Sequence, residues 1–337
     1  MSRRRIFSRR SDASRFRLPI GLLLVVLAVG VCVLIPVNQI DITTVNVSNP
    51  DLPTALPTQT PLPLPTKPNI GRIIFTCTRG DFNQLCWVNA DGTGYQQLTN
   101  VEAHNYYPVY SPRGGSIVYA SNQNGGAFDL FLFIFDGAKL IRLTDFIGNV
   151  ISPSFSPDGK RILFANRAGV GPTSLWMVDN NGENASLLYT GADTIVAADW
   201  SPDGITIAFA MAVNNPNEYQ IFLMGADGSN VRQLTHNLAG IGGSLDWSPD
   251  GKYLLIYAGP DGDKDIFRID VAAQTATQLT DGGNNAASSY SPDGQWIAFN
   301  SLRNNDQADI FIMRTDGSGM RQVTDNPEPD WQPQWEP

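Results

Sequence analysis

The sequence predicts an all-β fold: a six-bladed β-propeller of four-stranded antiparallel blades, closed by the C-terminal strand and preceded by one transmembrane helix. Three observations carry this. A short phrase, an aromatic followed by Ser-Pro and usually Asp-Gly, recurs along the chain with its aromatic at Tyr110, Phe155, Trp200, Trp247 and Tyr290, and a degenerate copy begins at Trp335. Each of the five full copies is followed by short apolar runs of strand length, separated by turn residues. Composition agrees: 31 Gly and 23 Pro, with only 16% charged residues, suit short strands and tight turns, and no long amphipathic helix can be traced.

The elements follow in order. Residues 1–17 hold seven arginines and one acid, Asp12. From −9 overall, this +6 tail leaves −15 on the rest of the chain. Residues 18–37, LPIGLLLVVLAVGVCVLIPV, carry no charge. As a helix they would reach ~30 Å, one hydrocarbon core. The arginines all precede this segment, so the positive-inside rule places the N-terminus in the cytoplasm and the remainder outside. A cleaved signal peptide is the rival reading, but no small-x-small cleavage site follows the run. Residues 38–69 read as a stalk. Positions 48–69 hold seven prolines, which favour an extended polyproline conformation over strand or helix. Residues 70–337 are the expected propeller.

Within the propeller the repeat has a physical logic. Ser-Pro-Asp-Gly suits a tight turn, because Ser can bond the backbone, Pro presets φ and Gly closes the loop. An apolar strand follows, as in RILFA (161–165) or WIAFN (296–300), and then a second, as in DIFRID (265–270) or DIFIM (309–313). A third ends in Leu-Thr or Val-Thr, as at 143–144, 279–280 and 323–324, and a fourth leads to the next aromatic. Four strands per ~45 residues is the pattern of a propeller blade. The first repeat, from GRIIFTC (71–77), lacks its first strand, and DWQPQWEP (330–337) is a first strand with nothing after it. Together they make one blade, which closes the ring and removes its open edges.

With WSPDG, IAF, DIF, DG and QLT standing in this order, residues 71–337 resemble the TolB-like β-propeller, a relative of WD40 propellers. The resemblance implies a binding role in the cell envelope. It does not extend to the N-terminal α/β domain of TolB, in whose place this chain has an apolar segment and a stalk.

Candidate chemistry is sparse. Two histidines and three cysteines exclude a multi-histidine metal centre, a multi-cysteine zinc site or a disulfide scaffold. No G-x-S-x-G elbow, phosphate loop or H-E-x-x-H occurs, so no catalytic residue and no cofactor is assigned. The acidic body argues against nucleic acid. Asp261 to Asp265 begins like a calcium loop but lacks the later Gly and Glu. The turn acids Asp158, Asp203, Asp250 and Asp293, and the repeated Asp129, Asp265 and Asp309, read as structural hydrogen-bond acceptors.

The remaining candidates surround the expected channel mouth. His104 and His236 lie in connections leading to the second and fifth blades. Asp199 and Asp246 precede the aromatics of two inner strands and would point away from them, either toward a neighbouring blade or into an acidic channel able to hold a cation. Tyr106, Tyr107 and Arg303 complete the set, on or near the polar loops 122–126, 214–219 and 303–307. Cys77 and Cys86, on facing strands, could form a disulfide outside the cytoplasm. The expected function is a membrane-anchored, extracytoplasmic module binding an envelope protein or glycan. The alternative is a propeller enzyme, a lyase or hydrolase acting on sugars or lactones at the channel mouth.

Overall fold

The computed structural model describes residues 71–337 apart from 192, 214, 305 and 306, and the side chains of 216 and 217. The chain divides into two units, 1–58 and 59–337, and every described residue belongs to the second. The basic tail, the apolar segment 18–37 and the stalk lie outside the described residues. Among those described, no helix is long and apolar enough to cross a membrane.

Six four-stranded antiparallel sheets are present. The first contains β1 (Arg72–Arg79), β2 (Phe82–Asn89) and β3 (Gln96–Gln97). The second runs β4 (Asn105–Tyr110), β5 (Ser116–Ser121), β6 (Asp129–Ile134) and β7 (Lys139–Arg142). The third is β8 (Asn149–Phe155), β9 (Arg161–Arg167), β10 (Ser174–Asp179) and β11 (Ser186–Tyr189). The fourth is β12 (Ile195–Trp200), β13 (Thr206–Val213), β14 (Asn215–Gly225) and β15 (Arg232–Gln233). The fifth is β16 (Leu245–Trp247), β17 (Tyr253–Ala258), β18 (Asp265–Asp270) and β19 (Thr275–Gln278). The sixth is β20 (Asn285–Tyr290), β21 (Trp296–Ser301), β22 (Asp309–Arg314) and β23 (Arg321–Gln322).

The last strand, β24 (Asp330–Trp335), pairs with β1 and completes blade 1. The inner strands touch in the order β4, β8, β12, β16, β20, β24 and back to β4, so the ring is closed.

Burial explains the repeat. Each inner strand ends in its aromatic, and all six (Tyr110, Phe155, Trp200, Trp247, Tyr290, Trp335) are buried. Each belongs to a separate apolar cluster shared with the preceding blade. There is thus one core per interface, and an aromatic of this size brings ~150–250 Å² of buried surface to each. Trp335 joins Ile73 and Phe75 of blade 1 to Ile310 and Ile312 of blade 6.

The turns work as their sequence suggests. Ser156, Ser201, Ser248 and Ser291 each donate Oγ to the Asp two residues on, at 2.5–2.7 Å. The same oxygens accept the backbone N–H of the residue that opens the next strand, at 2.9 Å. Gly159, with φ of 68°, shows why glycine follows Asp there: the backbone is left-handed.

One detail differs from the expectation. The Leu-Thr pairs do not end the outermost strands, which are only two residues long in blades 1, 4 and 6; they lie just beyond them. The threonine leaves the ladder because its hydroxyl accepts a backbone N–H of the adjacent strand, from Leu130, Ile266 and Ile310 at 2.9 Å. It also donates to the recurring aspartate, Thr144 to Asp129 and Thr280 to Asp265 at 2.7 Å. In blades 1 and 4, Gln84 and Gln220 take the place of that aspartate.

Candidate functional site: the channel and its mouth

The inner strands end with their aromatics facing the blade interfaces, so the residue before each aromatic points to the axis. That position holds Val109, Ser154, Asp199, Asp246, Ser289 and Gln334, and all six line a central cavity of about 420 Å³. A second feature shapes this wall. Tyr107, Ser152, Ala287 and Gln332, each three residues before an aromatic, have positive φ of 50–55°. The strand register shifts at the same places in blades 2, 3, 6 and 1. These are β-bulges, which bend an inner strand and re-aim its side chains.

Asp199 and Asp246 therefore sit side by side on blades 4 and 5, both in the cavity wall. Asp199 accepts Ser154 Oγ at 2.5 Å and Trp247 N at 3.2 Å, bonding to the blades on either side. Asp246 accepts Tyr290 N at 2.8 Å from the next blade. Burial pushes the Asp199 carboxyl up to about 6, against these hydrogen bonds. Asp246 is raised well above the usual range, first by burial and then by the charge of Asp199. The two carboxylates thus stitch blades together and also place titratable groups in the channel. Among the described residues no group of three or more His, Cys, Asp or Glu is arranged to hold a metal ion.

Above this cavity, toward the mouth, lies a vestibule of about 600 Å³, which shares Tyr257, Ala287 and Gln332 with it. Tyr106 lines the vestibule and Tyr107 the cavity below. Tyr106 stacks on His104 with centroids 5.9 Å apart and packs on Phe128 at 5.6 Å. Its hydroxyl accepts Asn83 Nδ2 at 2.6 Å. His104 also receives Asn83 N on Nδ1 at 3.3 Å, so it braces the wall and does not line either cavity. His236 is exposed in the connection between blades 4 and 5, apart from His104. Arg303 is tied to the fold: its guanidinium bonds Ser301 Oγ, Gly282 O and Asn285 Oδ1 at 3.0–3.2 Å and lies over the Phe311 ring.

Cys77 and Cys86 are joined as a disulfide, with Cα atoms 5.8 Å apart. In the ladder Cys77 faces Gln84 and Cys86 faces Phe75, so the bridge runs diagonally between β1 and β2, beside the closing strand.

Tyr219, the last residue of loop 214–219, lines the cavity, and Tyr257, Asn300, Trp331 and Gln332, which the sequence does not single out, line these spaces. A signal for two of them exists. Ten residues after the aromatic, blades 2, 3 and 4 carry Ala120, Ala165 and Ala210. Blades 5 and 6 carry Tyr257 and Asn300 there, and the register of β1 puts Thr76 at the same place in blade 1. Gly242 makes room for one of these exchanges, since a Cβ there would run into the Tyr257 ring. Gly243 N then donates to Tyr257 Oη at 2.9 Å. At the ring seam Gln332 Oε1 accepts Thr76 Oγ1 and Tyr107 N, both at 3.0 Å.

A closed ring of six four-stranded blades around a lined channel defines a β-propeller. The family model described as the TolB beta propeller domain matches residues 92–237 and 170–337, and the chain belongs to that family. An uncharacterised protein of Agrobacterium fabrum is 40% identical over 114 residues, 34% of this chain and 38% of that protein. The Tol-Pal system protein TolB of Francisella tularensis is 28% identical over 114 residues, 32% of this chain and 25% of its own length. The chain therefore matches well under half the length of these relatives. The crystal structure of TolB from Acinetobacter baumannii superposes with a TM-score of 0.70 at 23% identity, covering 79% of this chain and 67% of that one. At that identity the likeness concerns the fold.

Proposed function

We propose that this chain is a membrane-anchored, extracytoplasmic binding propeller of the cell envelope, which presents its channel-mouth face to a protein or glycan partner. The observation that carries this is the division of labour among polar residues. The turn acids, the Asp–Thr pairs and Arg303 are consumed by the fold, whereas half-buried tyrosines and amides converge on one open space at the mouth. Aromatic and amide surfaces of this kind suit recognition. Membrane attachment is supported by the uncharged segment 18–37 behind its arginine-rich tail. Kinship with the TolB propeller supports the envelope setting.

The test is site-specific photo-crosslinking in native membranes. A photoreactive phenylalanine analogue replaces Tyr106 on the mouth face or the exposed Ile205 beside a Ser-Pro-Asp-Gly turn. Adducts from position 106 and not from 205 are expected. Adducts from 205 alone would overturn the assignment of the face.

A second reading, an enzyme acting on sugars or lactones, draws on one observation: two buried carboxylates with raised pKa share the channel wall. Turnover of such a substrate that is lost in Asp199→Asn would establish it.

A further inference from the structure

We infer that the vestibule at the channel mouth is a binding site for a neutral oligosaccharide. This rests on the reading of the mouth as the recognition face and names the class of ligand it takes. The vestibule is bounded by aromatic side chains, Tyr106, Tyr257 and Trp331, and by side-chain amides, Asn83, Asn284 and Asn300. Among the described residues that line it, none is charged. That is unusual for a chain carrying −15 beyond its first 17 residues.

The hydrogen-bonding capacity left over is specific. Asn300 is 2% exposed and spends Oδ1 on Gln332 N, at 3.2 Å. Asn284 Oδ1 accepts Lys264 N at 3.3 Å. The Nδ2 groups of both have no partner among the described residues. Tyr106 and Tyr257 each accept a hydrogen bond on the hydroxyl oxygen, from Asn83 Nδ2 and Gly243 N, which leaves their own protons to donate. Four neutral donors thus face a space flanked by flat rings.

A ligand that fits must offer acceptors at its edges, apolar C–H faces for the rings and no net charge. An anion finds no cation here, and the Asp199–Asp246 pair below repels it. A cation finds no carboxylate at the vestibule and meets the free donors of Asn284, Asn300, Tyr106 and Tyr257. A sugar ring has both surfaces: hydroxyls around its rim and C–H groups on its faces. The volume, about 600 Å³, lies within the ~300–1,000 Å³ typical of small-ligand pockets and suits a short oligosaccharide. The Asn300 amide lines this space with no protein acceptor for Nδ2, and a hydroxyl oxygen from the ligand supplies one.

The experiment is calorimetric titration of the full chain in a polyoxyethylene detergent, which carries no sugar head group. The probes are chitotetraose and maltotetraose as neutral sugars, tetragalacturonate as the anionic one, and a neutral unstructured peptide. At least one neutral sugar should bind saturably, with affinity changing less than about twofold as salt rises from low to high. Asn300→Asp retains the acceptor for Gln332 N but replaces the free donor with a charge, and should weaken binding by roughly tenfold or more. Tyr106→Ala provides a second variant, and both are checked for an unchanged melting curve.

No saturable binding of either neutral sugar would overturn the inference. So would tighter binding of tetragalacturonate or of the peptide, or sugar binding unaffected in folded variants. A protein crosslinked from position 106 without sugar binding would remove this inference and leave the binding-module reading standing. Sugar binding without any adduct from the mouth face would do the reverse to a protein partner.

Discussion

Replacing Asp246 by asparagine asks whether the channel carboxylates are held against the interest of the fold. Asp246 accepts one hydrogen bond, from Tyr290 N, and an asparagine oxygen can take the same bond. What changes is the charge. A carboxyl whose pKa is higher in the folded than in the unfolded chain contributes fully below the unfolded value, and that contribution is lost as pH rises through the folded value. For Asp199 the rise from 3.8 to about 6 amounts to ~3 kcal/mol at pH values above the window. Asp246 is shifted in the same direction, first by burial and then by the charge of Asp199, so ionising it also works against the fold.

The substitution removes that cost. Asp246→Asn should therefore match the parent within about 0.5 kcal/mol near pH 4 and be more stable by ~1–3 kcal/mol at pH 8. The turn acids Asp158, Asp203 and Asp250, whose carboxyls are lowered chiefly by their serine neighbours, have the opposite pH dependence. They are common to both proteins and cancel in the difference. Denaturant unfolding of the full chain, followed by circular dichroism at several pH values, measures it. A variant less stable than the parent at pH 8 by as much as at pH 4 would refute the reasoning, because the carboxylate would then be worth more as a bond than it costs as a charge.

Other consequences are more local. Trp335→Ala empties the contact between blades 6 and 1 and should cost about 3–5 kcal/mol in denaturant unfolding; a chain lacking residues 330–337 that melted like the parent would show that β24 does not close the ring. Thr280→Val leaves Ile266 N and Asp265 without their hydroxyl and should cost ~1–3 kcal/mol, whereas Thr190→Val, at an exposed position with one bond of 3.4 Å, should fall within about 0.5 kcal/mol of the parent.

The blades could be read before any coordinates because each carries the same solution to the same packing problem. A buried aromatic at every interface and a serine–aspartate turn below it must recur in each blade, so they show as a period of about 45 residues. The seam was equally legible: three strands at one end and one at the other leave a single arrangement that satisfies all edges. The mouth was harder to read. Tyr106, Tyr107, Asp199 and Asp246 stand next to repeat landmarks and could be placed by counting alternate positions from the aromatic. His236 and Arg303 stand in connecting loops whose side-chain directions the repeat does not fix: His236 is exposed outside both cavities and Arg303 is bound to Ser301 and Asn285. The positive-φ bulges at Tyr107 and Gln332 follow no residue preference, since neither side chain favours that backbone.

The more informative signal lies in where the repeat breaks. A channel built from six equal blades would be uniform around its axis, and any ligand would meet the same surface from every side. Here the positions that hold the ring together are kept, while those facing the axis differ from blade to blade. Carboxylates stand on blades 4 and 5, with Tyr257, Asn300 and Thr76 on blades 5, 6 and 1 where blades 2 to 4 have alanine. Small alanines satisfy the packing, so larger and more polar residues are not required by the fold at these places; Gly242 is needed to accommodate one of them. Exchanging Tyr257 for alanine would leave Gly243 N unbonded but remove no element of the blade. Under the proposed binding function this asymmetry serves recognition, and it directs the search for a ligand to the side of the mouth formed by blades 5, 6 and 1.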